Sequence, residues 1–144
     1  MITMKVRYAL QALIFLAQRS PAPAPIAVIA QGSNAPRKFL EAILLELKVD
    51  GLLKSRMGRA GGYELARPAQ AVTVADVLRC LDGPLALAPC AARNSTRTCP
   101  GCEDIHTCAI RPSLTAARAA VAEVLENRTI ADLAKVPAAL EEFS

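Results

Sequence analysis

Four cysteines fall within one short run of this chain, Cys90-Ala-Ala-Arg-Asn-Ser-Thr-Arg-Thr-Cys99-Pro-Gly-Cys102-Glu-Asp-Ile-His-Thr-Cys108. Crowded thiolates are soft donors suited to an iron–sulfur cluster or to tetrahedral zinc. The Pro100-Gly101 pair supplies a tight turn that points two of the sulfurs one way. A disulfide staple is the competing use, but it belongs to oxidising compartments. The N-terminal Met1–Arg7 carries some charge ahead of an apolar run, yet lacks a convincing cleavage site and reads as the start of a helix. A cytoplasmic protein with a metal or redox site is therefore expected, and cluster, zinc and bare thiol–disulfide chemistry all remain open. His106, the only histidine, reads as a solvent-facing loop residue. Cys80 stands apart in a helical pattern and reads as a small buried hydrophobe.

Acid–base or nucleophilic catalysis is hard to assemble from one histidine and no persuasive nucleophile and base pair, so no enzyme is expected. The glycine-rich run Met57-Gly58-Arg59-Ala60-Gly61-Gly62 is followed by a strand pattern, whereas phosphate-cradling loops open a helix. A small electron carrier is the rival from another class, because a cysteine site needs no further residue to accept an electron. That reading leaves the basic middle of the chain without a use.

The charge there is uneven. Seventeen basic residues against thirteen acidic give +4 over 144 residues, a weak sign of a polyanionic partner on its own. Between positions 37 and 67, however, Arg37, Lys38, Lys48, Lys54, Arg56, Arg59 and Arg67 face only Glu41, Glu46, Asp50 and Glu64. With no Trp, two Tyr and three Phe, the chain cannot build a stacking platform for single strands, so duplex DNA is the more natural partner.

The elements that must position these groups follow from periodicity. A content of 53% hydrophobic residues is ample for a core, while the apolar stretches 9–17 and 21–30 are too short to span a bilayer, so no membrane partner is expected. Leu10, Leu13, Ile14 and Ala17 predict a first helix over 5–18, ended by three prolines between Ser20 and Pro25. A short second helix is expected over 26–31, then a turn at Gly32-Ser33-Asn34. Pro36 suits the first turn of a third helix running to about Val49. On that helix Leu40, Ile43, Leu44 and Leu47 share one arc, and Lys38, Glu41, Ala42 and Leu45 lie opposite. This is a helix-turn-helix pattern, and the alternating runs at 52–56 and 63–66 around the glycine-rich tip add a two-stranded wing. Arg56 and Arg59 sit on a tip thin enough for a minor groove.

Val74, Val77, Leu78 and Leu81 give a further helix before Asp82-Gly83-Pro84. The segment from Leu85 to His106 reads as a long loop, organised by the cysteines. From about Ala109 to Asn127 the pattern is helical, with Leu114, Ala117, Val121, Val124 and Leu125 in one stripe. That stripe suits either a second copy of the chain or the chain's own first helix. Thr129-Ile130-Ala131-Asp132 is a capping-box pattern for a short last helix, with a frayed tail after 138. The expected fold is mainly α with a small β-wing. Its expected parts are a winged helix-turn-helix unit over 1–83, a cysteine-rich sensor loop over 84–108, and a dimerisation helix and tail over 109–144.

With these pieces in order, the chain resembles the Rrf-type bacterial winged-helix transcriptional regulators, the group of IscR, NsrR, RirA and CymR. The resemblance covers most of the chain and rests on Lys5-Val6-Arg7-Tyr8-Ala9-Leu10, Phe39-Leu40-Glu41-Ala42-Ile43-Leu44, Asp50-Gly51-Leu52, and Gly58 through Pro68 in the wing. It implies a homodimer with crossed C-terminal helices, reading a palindromic operator as a repressor. It also implies a cysteine-held two-iron or four-iron cluster near the junction of each DNA-binding domain with the dimer helix. Lys38, Glu41 and Ala42 take the base-facing slots. Glu41 can accept from a cytosine amino group, Lys38 can donate to guanine or phosphate, and Ala42 offers a methyl contact. Arg37, Lys48, Arg56, Arg59 and Tyr63 complete the expected DNA-contacting set.

The cysteine pattern departs from that of the relatives. Cys102 and Cys108 keep the family's five-residue gap, while eight residues separate Cys90 from Cys99 and two separate Cys99 from Cys102. The histidine ligand of IscR-like members falls on Arg111, and the aspartate ligand of some nitric-oxide sensors falls on Arg7. Neither arginine binds iron, so the ligand set implied for this chain is Cys90, Cys99, Cys102 and Cys108.

Overall fold

Helix α1 (Met4–Arg19) starts where the Thr3 hydroxyl accepts the Val6 N–H at 3.3 Å, and it buries Val6, Ala9, Ala12, Leu13 and Leu16. Of the expected stripe only Leu13 is buried, and Leu10, Ile14 and Ala17 are half-buried, because the packed arc is rotated toward the small residues Ala9 and Ala12. The computed structural model to which this helix belongs describes residues 2–135, so the frayed tail expected after 138 lies outside the described residues. The proline run ends α1, and α2 (Ile26–Ser33) follows.

The turn expected at Gly32-Ser33-Asn34 is instead the last turn of α2 and its cap. Asn34 takes the left-handed conformation at φ 55°, the usual way to stop a helix without glycine. Gly32 stays helical, and a Cβ there would lie 2.1 Å from the Phe15 ring. Its smallness therefore serves the crossing of α2 over α1.

Pro36 also sits one place earlier than expected, as the cap just outside α3 (Arg37–Val49), where its carbonyl accepts the Leu40 N–H at 3.2 Å. Leu40, Ile43, Leu44 and Leu47 are buried, and Lys38, Glu41, Ala42 and Leu45 are exposed. The amphipathic reading of this helix thus becomes one packed face and one open face. Strands β1 (Leu53–Arg56) and β2 (Gly62–Leu65) pair antiparallel, Leu53 opposite Leu65 and Arg56 opposite Gly62.

A third piece of backbone completes the sheet. Ala24, in the proline-rich link between α1 and α2, exchanges two bonds with Tyr63, N–H to carbonyl at 2.9 and 2.8 Å. The wing is thereby tied to the body of the domain at its β2 edge.

Helix α4 (Val74–Asp82) opens with a capping box in which the Thr73 hydroxyl accepts the Asp76 N–H and the Asp76 carboxylate accepts the Thr73 N–H, at 3.1 and 3.0 Å. The next long connection holds only a short turn of helix at Pro89–Ala91 before α5 (Arg111–Glu126). The chain then returns to the core. Val74 N–H donates to Arg128 O and Ile130 N–H to Val72 O, both at 2.8 Å, which launches α6 (Ile130–Lys135) alongside α1. Its start carries the expected capping box, with Thr129 and Asp132 bonded reciprocally at 3.0 and 3.1 Å.

One core gathers Leu13, Leu16, Ile29, Leu40, Leu44, Leu47, Leu52, Val72, Val77 and Ile130. Since α6 covers α1, the stripe on α5 does not pack there. Helix α5 rests on α4 and on the Pro89–Ala91 turn, with Val121 and Val124 47% and 58% exposed. Ile130 is completely buried, so Ile130→Val is expected to cost about 1 kcal/mol through a lost methyl and the small void it leaves. A denaturant midpoint measured at constant slope checks this value.

Candidate nucleic-acid interface and cysteine loop

The interface begins with the open face of α3. Arg37, Lys38, Glu41, Ala42 and Lys48 are all exposed, because the other face of the same helix is committed to the leucine-rich core. Lys38 Nζ lies 4.9 Å from the centre of the Phe39 ring, which stacks on Tyr8 of α1 at 5.9 Å and 13°. Aromatic support of this kind restrains a long lysine at small entropic cost.

In the wing, Arg59 is exposed at the tip and has no ion-pair partner among the described residues. Arg56 is different. Its guanidinium bonds Glu64 Oε1 at 3.1 Å, with Lys54 Nζ 3.6 Å from the same oxygen. To reach a phosphate it must leave a pair that, at 59% exposure, is worth no more than about 1 kcal/mol. Tyr63 is half-buried against the core and joined to Ala24 through its backbone, so what it does for the wing is hold it. Glu64 and the Ala24 bridge are the parts of this surface that sequence reasoning missed. Glu64 stood in plain view opposite Lys54, in the alternation of the strands.

The cysteines lie in the connection between α4 and α5. Cys90 is 3% exposed in the Pro89–Ala91 turn, and Cys99, Cys102 and Cys108 are half-buried. Cys99 Sγ donates to Cys90 Sγ at 3.5 Å. Two thiolates about 2.3 Å from one tetrahedral metal stand about 3.8 Å apart, so this pair matches one edge of a metal site as well as a disulfide precursor. Among the described residues no three His, Cys, Asp or Glu side chains gather at metal-binding distance. The structure therefore brings Cys90 and Cys99 together and leaves Cys102 and Cys108 off that edge.

Arg111, in the slot of a histidine ligand by resemblance, donates from Nε to the Cys90 carbonyl at 3.2 Å. It pins the first turn of α5 to the cysteine turn. The contact with Cys99, then loss of solvent, hold the Cys90 thiol above its ordinary value, and the Arg111 guanidinium pulls the other way. Two sulfurs this close carry a shared proton more easily than two charges. His106 is exposed. Cys80, on α4, is half-buried rather than buried, its thiol donating to the Glu46 carbonyl at 3.8 Å, and its pKa is pushed up to about 11 by loss of solvent and then by Asp50 and Glu46, against a lowering by Lys5. It stays a thiol at neutral pH and takes no part in the loop.

A two-stranded wing beside a helix-turn-helix with an exposed basic face defines a winged-helix DNA-binding regulator. The family model of Rrf2, described as an iron-dependent transcriptional regulator, matches residues 2–136, and the chain belongs to that family. A Rhodobacter capsulatus HTH-type transcriptional regulator described as rrf2-like is 42% identical over 115 residues, covering 77% of each chain. The HTH-type transcriptional regulator IscR of Erwinia tasmaniensis is 28% identical over 133 residues, covering 92% of this chain and 77% of that one. Among solved structures, CymR, the global cysteine regulator of Bacillus subtilis, superposes with a TM-score of 0.73 at 33% identity, over 93% of this chain and 95% of its own. The protein is thus a transcriptional regulator and not an enzyme. No helix among the described residues is long and apolar enough to cross a membrane.

Proposed function

We propose that the protein is a homodimeric repressor that grips a palindromic operator with two copies of α3 and the wing, and that the segment from Cys90 to Cys108 senses the signal through a bound iron–sulfur cluster. The observation that carries this reading is the Cys90–Cys99 pair at 3.5 Å, tied by Arg111 to the start of α5. Sulfur chemistry in the loop and the helix that pairs the subunits are one bond apart. The family's description as iron-dependent supports iron over other metals, and the soft four-thiol set suits it.

In this reading residues 1–83 contact DNA, 84–108 sense, and 109–144 pair the subunits through the exposed Ile110, Val121 and Val124, with α6 folded back as an anchor. Cys90, Cys99, Cys102 and Cys108 would hold the cluster, which would supply a clamp across the loop. Loop residues held together or released then set the angle of α5 on α4, and through it the spacing of the two α3 helices. A hundredfold change in operator occupancy needs about 2.7 kcal/mol between the two arrangements.

A second reading, regulation by thiols alone, is favoured by the same sulfur separation and by the likeness to CymR, a cysteine regulator. Visible absorbance with iron, sulfide and zinc analysis after anaerobic purification separates the two. Stoichiometric iron and sulfide support the cluster; zinc or bare thiols reject it.

The DNA face has its own test. Lys38→Ala and Arg59→Ala are each expected to weaken duplex binding and to lower the slope of log affinity against log salt by about 1, if each neutralises one phosphate. Binding titrations at two or more salt concentrations measure this. An unchanged slope in both variants would remove these residues from the interface.

A further inference from the structure

Behind the cysteine turn lies a second concentration of charge that DNA recognition does not use. Arg79 of α4, Arg93 of the loop and Arg118 of α5 line one cavity of about 220 Å³, walled otherwise by Pro84, Leu85 and Ala92. Arg118 occupies the inward face of α5, one turn before the buried Ala122. Its Nε is buried and has no hydrogen-bond partner among the described residues, an arrangement that costs free energy unless something accepts that N–H.

Neither nearby carboxylate forms an ion pair with Arg93 or Arg118 among the described residues. Glu126 pairs with Arg79. Asp82, which lines the adjoining cavity with Arg118, accepts the Thr3 hydroxyl on both oxygens at 3.2 Å. Arg93 and Arg118 have no carboxylate partner among the described residues, which leaves two positive charges facing a small space whose other walls are mostly apolar. Such a cavity is smaller than the roughly 300 Å³ at which drug-sized ligand sites begin.

We infer that this cavity binds a small tetrahedral oxyanion of the phosphate or sulfate class, held by Arg118 and Arg93. A dianion matches the uncompensated charge, and the planar forks of two guanidiniums suit its oxygens. Bound there, it joins the loop carrying Cys90 to α5 a second time, two turns along the same helix face from Arg111. The site stands independently of what the cysteines hold.

Thermal unfolding of the full chain in inorganic phosphate, sulfate and chloride at matched ionic strength tests the assignment. At ten times its dissociation constant, phosphate or sulfate is expected to raise the midpoint by about 4 °C over chloride. The rise should vanish in Arg118→Leu and in Arg93→Ala, and should persist in the Lys38→Ala/Arg59→Ala double variant, which weakens the other anion-binding face. If Arg118→Leu does not fold, the exposed-loop variant Arg93→Ala decides. No oxyanion-specific rise in the wild type, a rise that survives in Arg93→Ala, or one that disappears with the DNA face would each overturn the site.

Discussion

Replacing Cys99 and Cys102 together by serine is expected to abolish the signal-dependent change in operator affinity, a loss of about a hundredfold in the ratio between the two states. Folding should be nearly unaffected. Both side chains are only half-buried, serine is close to cysteine in size, and the one thiol embedded in packed surroundings, Cys90 at 3% exposure, is left in place. The change removes Cys90's partner at 3.5 Å and the cysteine that follows the Pro100-Gly101 turn. Neither a metal edge nor a disulfide can then form at that point. Anisotropy titrations of an operator duplex, with protein prepared anaerobically and after exposure to peroxide, read the ratio directly. Full regulation in the double variant would show that the loop is not the sensor.

The second large effect concerns the wing. Gly62 has φ +137°, and a Cβ on it would stand 2.2 Å from the Ala24 carbonyl oxygen. Backbone cannot yield as a flexible side chain does, and the conformation itself is unfavourable for any other residue. Gly62→Val is therefore expected to break the Ala24–Tyr63 bridge or to destabilise the domain by roughly 4 kcal/mol. Duplex affinity should fall even where the protein still folds, since the Arg59 tip loses its anchor on the helical body. Chemical denaturation and a binding titration on the same sample separate the two losses. Wild-type values in both would mean that the bridge carries neither stability nor recognition.

Much of this architecture was legible in the order of residues. Helices α1, α3 and α4 announce themselves because burial on one side imposes a 3.6-residue period, and the wing does so because alternation imposes a period of two. The apolar stripe on α5 has the same period but stays largely exposed in the single chain. The capping box at Thr129 and Asp132 was equally readable, since both partners lie within one turn. Gly32 misled for a related reason. Gly-Ser-Asn has the local chemistry of a turn, whereas the demand that selects glycine there comes from Phe15, in a different helix.

The set of elements, the basic open face of α3 and the presence of four thiols in one segment are written into local residue order, because each follows from neighbours along the chain. Only the folded chain shows that Cys90 meets Cys99, that Ala24 completes the wing, that Ile130 brings α6 back onto α1 and that Arg118 and Arg93 line one cavity. Those contacts join residues many positions apart. Nothing in local propensity encodes which of the possible pairs will meet until one shared core fixes where every segment lies.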